Sequence, residues 1–421
     1  MPVKPARATR VAVVGTLRLA RATSGRNLVT RAAQPLFLAQ VFSSASGALG
    51  MVMAASAMLP GQFTTFSLLV LALQFCSGAT RSYLFQPALV ETRNNPEAHI
   101  HVRIALIGAL CAGTAFLIAI AVLGIHDRAW LATLSVATLF PVMTEWLRLR
   151  GMALDERRSV ANGDAIRLVV TPLGYPILWF TTDPKVFYLF VCLTYVSTVA
   201  YLAVRLPRVA THLSPRSFRR SASSQLADFV LAQLVSTIPL LVLGGMGHSG
   251  FIGGIRMAQS LLGPINLVIW ASAMNLMADG ATQKSHANPS DLIRQARRLA
   301  AILALFCLFT IAVVLVALIA TDFSFRGADN HSMMIGVLLA GSYLLTAAWT
   351  YPDTIVMRLL GHHSTATWGR AGVVLVTAVG YGLGYLVGGP DMSLIFAFIG
   401  SAVANLVAFM LPAAIIYRRY P

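Results

Sequence analysis

Among the ionisable residues within or at the ends of long apolar runs are Arg81, Arg256, Asp228 and Asp353. A charge in apolar surroundings is costly, so each is a candidate for function. A guanidinium presents a planar fork that matches phosphate oxygens, which makes Arg256 and Arg81 candidates for holding an anion. A carboxylate at a run's end, as at Asp228 and Asp353, can hold a coupling cation or a proton. Each also has a structural alternative. Arg256 can snorkel to the outer interface or pair with a carboxylate, and Arg81 can snorkel to the inner leaflet. Asp228 and Asp353 can partner Arg81, Arg358 or a neighbouring basic loop, and Glu145 beside Arg148 reads as an interfacial salt-bridge residue. Gln40, Gln233 and Asn275 add uncharged hydrogen-bonding groups, which can contact a ligand or join helices. The histidines and the four cysteines, Cys76, Cys111, Cys192 and Cys307, lack metal-ligand spacing. The thiols lie in apolar runs and read as small buried hydrophobes, so neither a metal nor a cofactor is expected.

The elements that must position these residues follow from composition. Of 421 residues, 57% are hydrophobic and 11% charged, against about 45–50% and about 25% in soluble domains. Crossing the hydrocarbon core takes about 20 apolar residues. That length divides the chain into twelve spans, at 35–58, 63–83, 104–124, 129–147, 165–182, 186–204, 226–245, 251–278, 299–321, 332–352, 371–388 and 392–415. Several connections are very short, so successive helices are antiparallel neighbours. Of 32 Lys and Arg residues, 27 fall on one side of this arrangement and 3 on the other. The basic side is the cytoplasm, which places both termini inside. The formal net charge of +17 is then a product of topology and inner-leaflet contact. No nucleic-acid module accompanies it, and no nucleic-acid partner is expected. The expected location is the cell membrane, as a multi-pass protein.

An internal repeat divides the chain. Leu38-Ala39-Gln40-Val41-Phe42-Ser43-Ser44 in span 1 matches Leu231-Ala232-Gln233-Leu234-Val235-Ser236-Thr237 in span 7, close to half the chain away. Six spans per half gives both halves the same orientation, as in transporters whose site lies between repeats. The expected organisation is a basic segment over 1–34, an N-lobe over 35–205, a basic linker over 206–225, a C-lobe over 226–417 and a tail over 418–421. Gly47, Gly50, Pro172, Pro176, Pro239, Gly263, Pro264 and Pro412 suggest kinks within spans.

Three segments carry a family resemblance. Leu59-Pro60-Gly61-Gln62-Phe63-Thr64-Thr65-Phe66-Ser67-Leu68-Leu69, the stretch from Glu145-Trp146-Leu147-Arg148 to Asp164, and Gly250 to Pro264 are similar to the polysaccharide flippase branch of the multidrug/oligosaccharidyl-lipid/polysaccharide exporter superfamily. Gln62-Phe63-Thr64 departs from the usual phenylalanine-glycine pair of the first segment. The resemblance implies a non-enzymatic transporter of two rocking six-helix lobes. It would flip a lipid-diphosphate-linked glycan from the cytoplasmic to the outer leaflet for surface polysaccharide assembly. Its expected partners are the bilayer, that glycan-lipid and other membrane proteins of glycan assembly. In that role Arg256 would hold the diphosphate, Arg81 would meet the head group on entry, and Gln40, Gln233 and Asn275 would bond sugar hydroxyls.

Other readings fit less well. A membrane-embedded glycan-assembly enzyme needs carboxylates or a domain on the outer face, and the longest outer loop offers only Asp322 and Asp329. A cation-coupled multidrug exporter of the same superfamily is expected to use an acidic residue in the first lobe, and span 1 has none. A major-facilitator transporter would carry glycine and aspartate in the loop Glu91-Thr92-Arg93-Asn94-Asn95-Pro96-Glu97. An arginine within a span favours an anionic ligand by Coulomb attraction.

Overall fold

A computed structural model describes residues 35, 38–85, 102–122, 124, 127–154, 156–206, 215–246, 250–266, 268–269, 272, 276, 289–322 and 324–418. Its regular structure is helical, apart from one small bridge between Phe325 and Ala328. Among the described residues, seven helices are long and apolar enough to cross a membrane. The longest, Ser364–Tyr417, is two spans joined at Gly388 and Gly389. The shorter apolar helix Ile107–Ala121 supplies span 3. Spans 5 and 7 are interrupted helices, and span 8 opens with the helix Gly250–Leu261. The fold is therefore the expected all-α polytopic one.

The interruptions follow local chemistry. Proline lacks an N–H and crowds the preceding turn, so span 5 passes through a tight turn at Thr171–Gly174 between Arg157–Val170 and Tyr175–Phe180, with Pro172 in the turn and Pro176 just after it. Thr237, ahead of Pro239, separates Pro215–Ser236 from Ile238–Gly245 in span 7. Gly47 and Gly50 leave the span 1 helix unbroken, and Pro412 lies inside the span 12 helix. Gly389 has φ of +75°, a conformation only glycine adopts without strain, and this makes the tight turn from span 11 to span 12.

One boundary differs from the sequence reading in a way that matters. The span bounds 129–147 and 165–182 leave Arg157 and Asp164 in the loop between spans 4 and 5 and put Arg167 just inside span 5. All three lie on the helix Arg157–Val170, and Asp164 and Arg167 are buried. Hydropathy treats a charge as a reason to end a span, whereas paired charges on facing helices remain inside. Cys111 is exposed rather than buried, whereas Cys76, Cys192 and Cys307 are buried as expected.

The largest apolar core runs through spans 1 to 6 and on into spans 8, 9 and 10, so it crosses from one lobe to the other. On the N-lobe side it includes Phe66, Phe116, Phe187 and Tyr188; the rings of Phe116 and Tyr188 stack at 5.4 Å. In the C-lobe, span 10 packs most extensively, against span 9, the paired spans 11 and 12, and span 8. Glycines allow backbones to approach closely there: a Cβ on Gly254 of span 8 would lie 2.5 Å from Ser332, and one on Gly384 of span 11 would lie 2.4 Å from the Met392 carbonyl. Span 2 forms much of the seam between the lobes, packing against the helices of spans 7 and 8.

Candidate functional site

Among the described residues, buried arginines form two sites inside the helical bundle. The first is in the inner half of the N-lobe and is centred on Arg148, which span 4 carries on the helix Leu139–Ala153. Its Nη1 donates to Glu145 Oε1 at 2.8 Å, one helical turn back. Its Nη2 donates to Gln40 Oε1 of span 1 at 3.3 Å. Its Nε lies 3.0 Å from Asp164 Oδ2 of span 5, although neither atom has a directed hydrogen bond. Charge rather than a well-aimed N–H therefore holds this pair. Asp164 is fully buried, so a low dielectric strengthens the attraction while removing water as an alternative partner.

Arg81 and Arg167 complete the cluster. Arg81 opens a π-helical turn, Arg81–Phe85, at the inner end of span 2. Such turns often occur at functional positions. Its Nη1 is 3.8 Å from Glu145 Oε2, its side chain is 37% exposed, and its Nε has no partner. Arg167 donates from Nε to Ser46 Oγ at 3.0 Å and from Nη2 to the Ser43 carbonyl at 3.1 Å. Its guanidinium lies 3.9 Å from the centre of the Tyr195 ring, which adds a cation–π attraction. Three guanidinium groups thus face two carboxylates, and the cluster draws spans 1, 2, 4, 5 and 6 together. Arg81 and Gln40, two of the residues singled out from sequence, meet here.

The second site is Arg256, on the span 8 helix Gly250–Leu261. At 1.5 Å per residue it sits about 9 Å inside the helix's outer end. It is 5% exposed. Nη1 donates to Gln259 Oε1 at 2.6 Å, and Nη2 donates across the lobe boundary to Gln74 Oε1 of span 2 at 3.3 Å. Nε is buried without a partner. Arg256 forms no ion pair among the described residues, so its charge is met only by two amide dipoles. Gln259, Ser260 and Gly263 follow it on the same side of the helix, and a Cβ on Gly263 would meet open space. Gln74 is exposed midway along span 2. This arrangement can accept an anion, because an incoming oxygen would satisfy Nε and compensate the positive charge.

The remaining sequence candidates lie elsewhere. Gln233 accepts a hydrogen bond from the hydroxyl of Thr237 in its own segment, so it does not mirror the interhelical bond of Gln40. Asp353 is buried in span 10 and accepts from the Tyr417 hydroxyl of span 12 at 2.7 Å. The guanidinium of Arg297, on span 9, lies 5.2 Å from the Tyr417 ring. Asn275 and the side chain of Asp228 are outside the described residues. No group of three His, Cys, Asp or Glu residues suited to a metal occurs among the described residues.

Sequence reasoning singled out neither Gln74 nor Arg167, and it took Asp164 only as part of a motif. Gln74 had a legible signal, a glutamine amid apolar residues of span 2. Arg167 lies at the start of span 5, and its spacing of three from Asp164 places both near one helical face.

No family model and no curated protein matches the sequence. Solved structures do match. A multidrug resistance MATE family transporter of the MOP superfamily, in an inward-facing conformation, aligns with a TM-score of 0.66 and 13% identity over 89% of this chain and 96% of its own. An outward-facing conformation of such a transporter aligns with a TM-score of 0.56 and 15% identity over 93% of this chain and 96% of its own. The lipid II flippase MurJ, in an inward closed conformation, aligns with a TM-score of 0.59 and 12% identity over 90% of this chain and 87% of its own. The chain therefore has the fold of these membrane transporters.

Proposed function

We propose that this protein is a transporter, not an enzyme, that moves an anionic lipid-linked glycan, with a diphosphate as the recognised group, from the cytoplasmic to the outer leaflet of the cell membrane. The two lobes would alternate access to the space between them. The observation that carries the reading is Arg256, a buried guanidinium at the lobe boundary with amide partners and an unpartnered Nε. A site built to bind a cationic drug would place a carboxylate there. The fold is shared with a lipid II flippase as well as with multidrug transporters, which is consistent with either cargo.

On this reading, Arg81 meets the head group at the inner end of span 2. Gln74 and Gln259 hold Arg256 in place between cargoes. Gln40, Gln233 and Asn275 are the proposed contacts for sugar hydroxyls. Asp353 and Asp228 are the proposed C-lobe carboxylates for ion coupling.

The test is export in cells lacking the native gene and complemented with Arg256→Ala. A guanidinium bond to a charged oxygen contributes about 1.5–3 kcal/mol, so transport should fall by roughly ten- to a hundredfold. Lipid-linked precursors should accumulate inside while the protein stays in the membrane. Normal surface glycan with unchanged precursors would defeat the proposal.

A second reading, a cation-coupled multidrug exporter, draws support from Glu145 and Asp164. These place two carboxylates inside the first lobe, where span 1 alone offers none. Unaltered glycans combined with sensitivity to cationic compounds in the deletion strain would favour it.

A further inference from the structure

The lobes are joined at the outer face by a specific seam. Span 1 ends at Ala57, and the last four carbonyls of a helix have no partner within it. Two of them are taken up by the other lobe. The Gly327 N–H donates to the Ala55 carbonyl at 2.7 Å, and Arg326 Nη1 donates to the Ala57 carbonyl at 3.4 Å. Both donors lie on the turn between spans 9 and 10.

That turn is rigid. Phe325 and Ala328 exchange backbone hydrogen bonds at 3.0 and 3.2 Å. Asn330 ties the turn back by donating to Asp322 Oδ1 at 2.9 Å and to the Leu318 carbonyl at 3.1 Å.

An aromatic ring fills the space beside these bonds. Phe63, in the first turn of the span 2 helix Pro60–Thr80, is fully buried. A Cβ on Gly327 would lie 2.6 Å from the Phe63 Cβ, and one on Gly253 of span 8 would lie 3.3 Å from its ring. The two glycines therefore form a notch that only their missing side chains leave open. On the N-lobe side Phe63 is held by its neighbour Gln62, which accepts from the Leu59 N–H at 3.0 Å and donates to Thr182 at 3.1 Å. Further along span 2, Leu68 packs into the equivalent space at Gly244 of span 7.

We infer that Phe63 seated against Gly327 and Gly253, with the Gly327–Ala55 and Arg326–Ala57 bonds beside it, is the outer seal of the transport path. It must unseat for the path to open outward. The inference rests on the alternating-access reading above, but it does not depend on what the cargo is. A backbone latch suits this task. It engages the ends of rigid elements, and its bonds can be replaced by water on opening, so that separation leaves no buried polar group stranded.

The test uses thiol accessibility without substrate, so a wrong cargo assignment leaves it intact. The reporter is Gln74→Cys in a chain whose exposed Cys111 is replaced by serine, labelled from outside with a membrane-impermeant thiol reagent. Gly327→Ala crowds the notch. Overpacking of this kind should raise the labelling rate about tenfold or more. A second variant, Arg326→Ala, removes the bond to the Ala57 carbonyl without touching the notch and should raise the labelling rate about two- to tenfold. Unchanged labelling in a folded Gly327→Ala protein overturns the inference. So does unchanged labelling in Arg326→Ala.

Discussion

Replacing Arg148 with methionine removes the cation in contact with a fully buried carboxylate. Methionine keeps most of the side-chain volume, so lost packing contributes little. What remains is Asp164, fully buried, with neither oxygen hydrogen-bonded even in the native chain and Arg167 of its own helix as the remaining nearby cation. Glu145 retains Arg81 at 3.8 Å. Breaking a buried ion pair from one side costs about 3–5 kcal/mol. With an unfolding entropy of about 2.1 cal/mol/K per residue over 421 residues, the melting temperature should fall by about 3–6 °C. Replacing both partners, Arg148→Met with Asp164→Leu, removes both charges and should recover most of that loss, giving a coupling energy of at least about 2 kcal/mol. The chain carries its own reporter in the buried thiols Cys76, Cys192 and Cys307, which react with a thiol-sensitive dye only on unfolding once Cys111 is changed to serine. If the double variant melts lower than Arg148→Met alone, or the single change costs under about 1 kcal/mol, the pair is not the buried support described.

Two further outcomes follow from local geometry. Gly254→Val would drive a side chain into the Ser332 backbone, 2.5 Å from the position of its Cβ, whereas Gly263→Ala enters open space. The first should abolish a monodisperse solubilised protein and the second should leave its elution profile unchanged. Asp329 caps the span 10 helix by accepting from the Ser332 N–H at 2.9 Å. Its desolvation is outweighed by the Ser332 donors, which hold the carboxyl below its ordinary value. Stabilisation from a lowered carboxyl is present above the unfolded value of about 3.9 and is lost as pH falls through the folded value. Asp329→Ala should therefore cost about 1 kcal/mol at neutral pH. Melting curves of the variant and the native protein should converge below about pH 4; a gap that persists in acid would mean that the cap is not electrostatic.

The sequence alone determined the number of spans and the side on which each connection lies. Lipid forces every backbone group to bond within its own helix, so apolar length is read locally. Loop charge is equally local. It also identified Arg256, because one guanidinium between Ile255 and Met257 stands out against its neighbours. Only the tertiary structure decided which charges were inside. Asp164 and Arg167 straddle the start of span 5 in a hydropathy window, and their burial is tolerable only because Arg148, Ser46 and Tyr195 arrive from other helices. The same holds for Gln74 opposite Arg256 and for Phe63 in its glycine notch. Each is a meeting of faces between elements far apart in the chain, and a meeting of that kind leaves no period or spacing in the sequence that a local reading could follow.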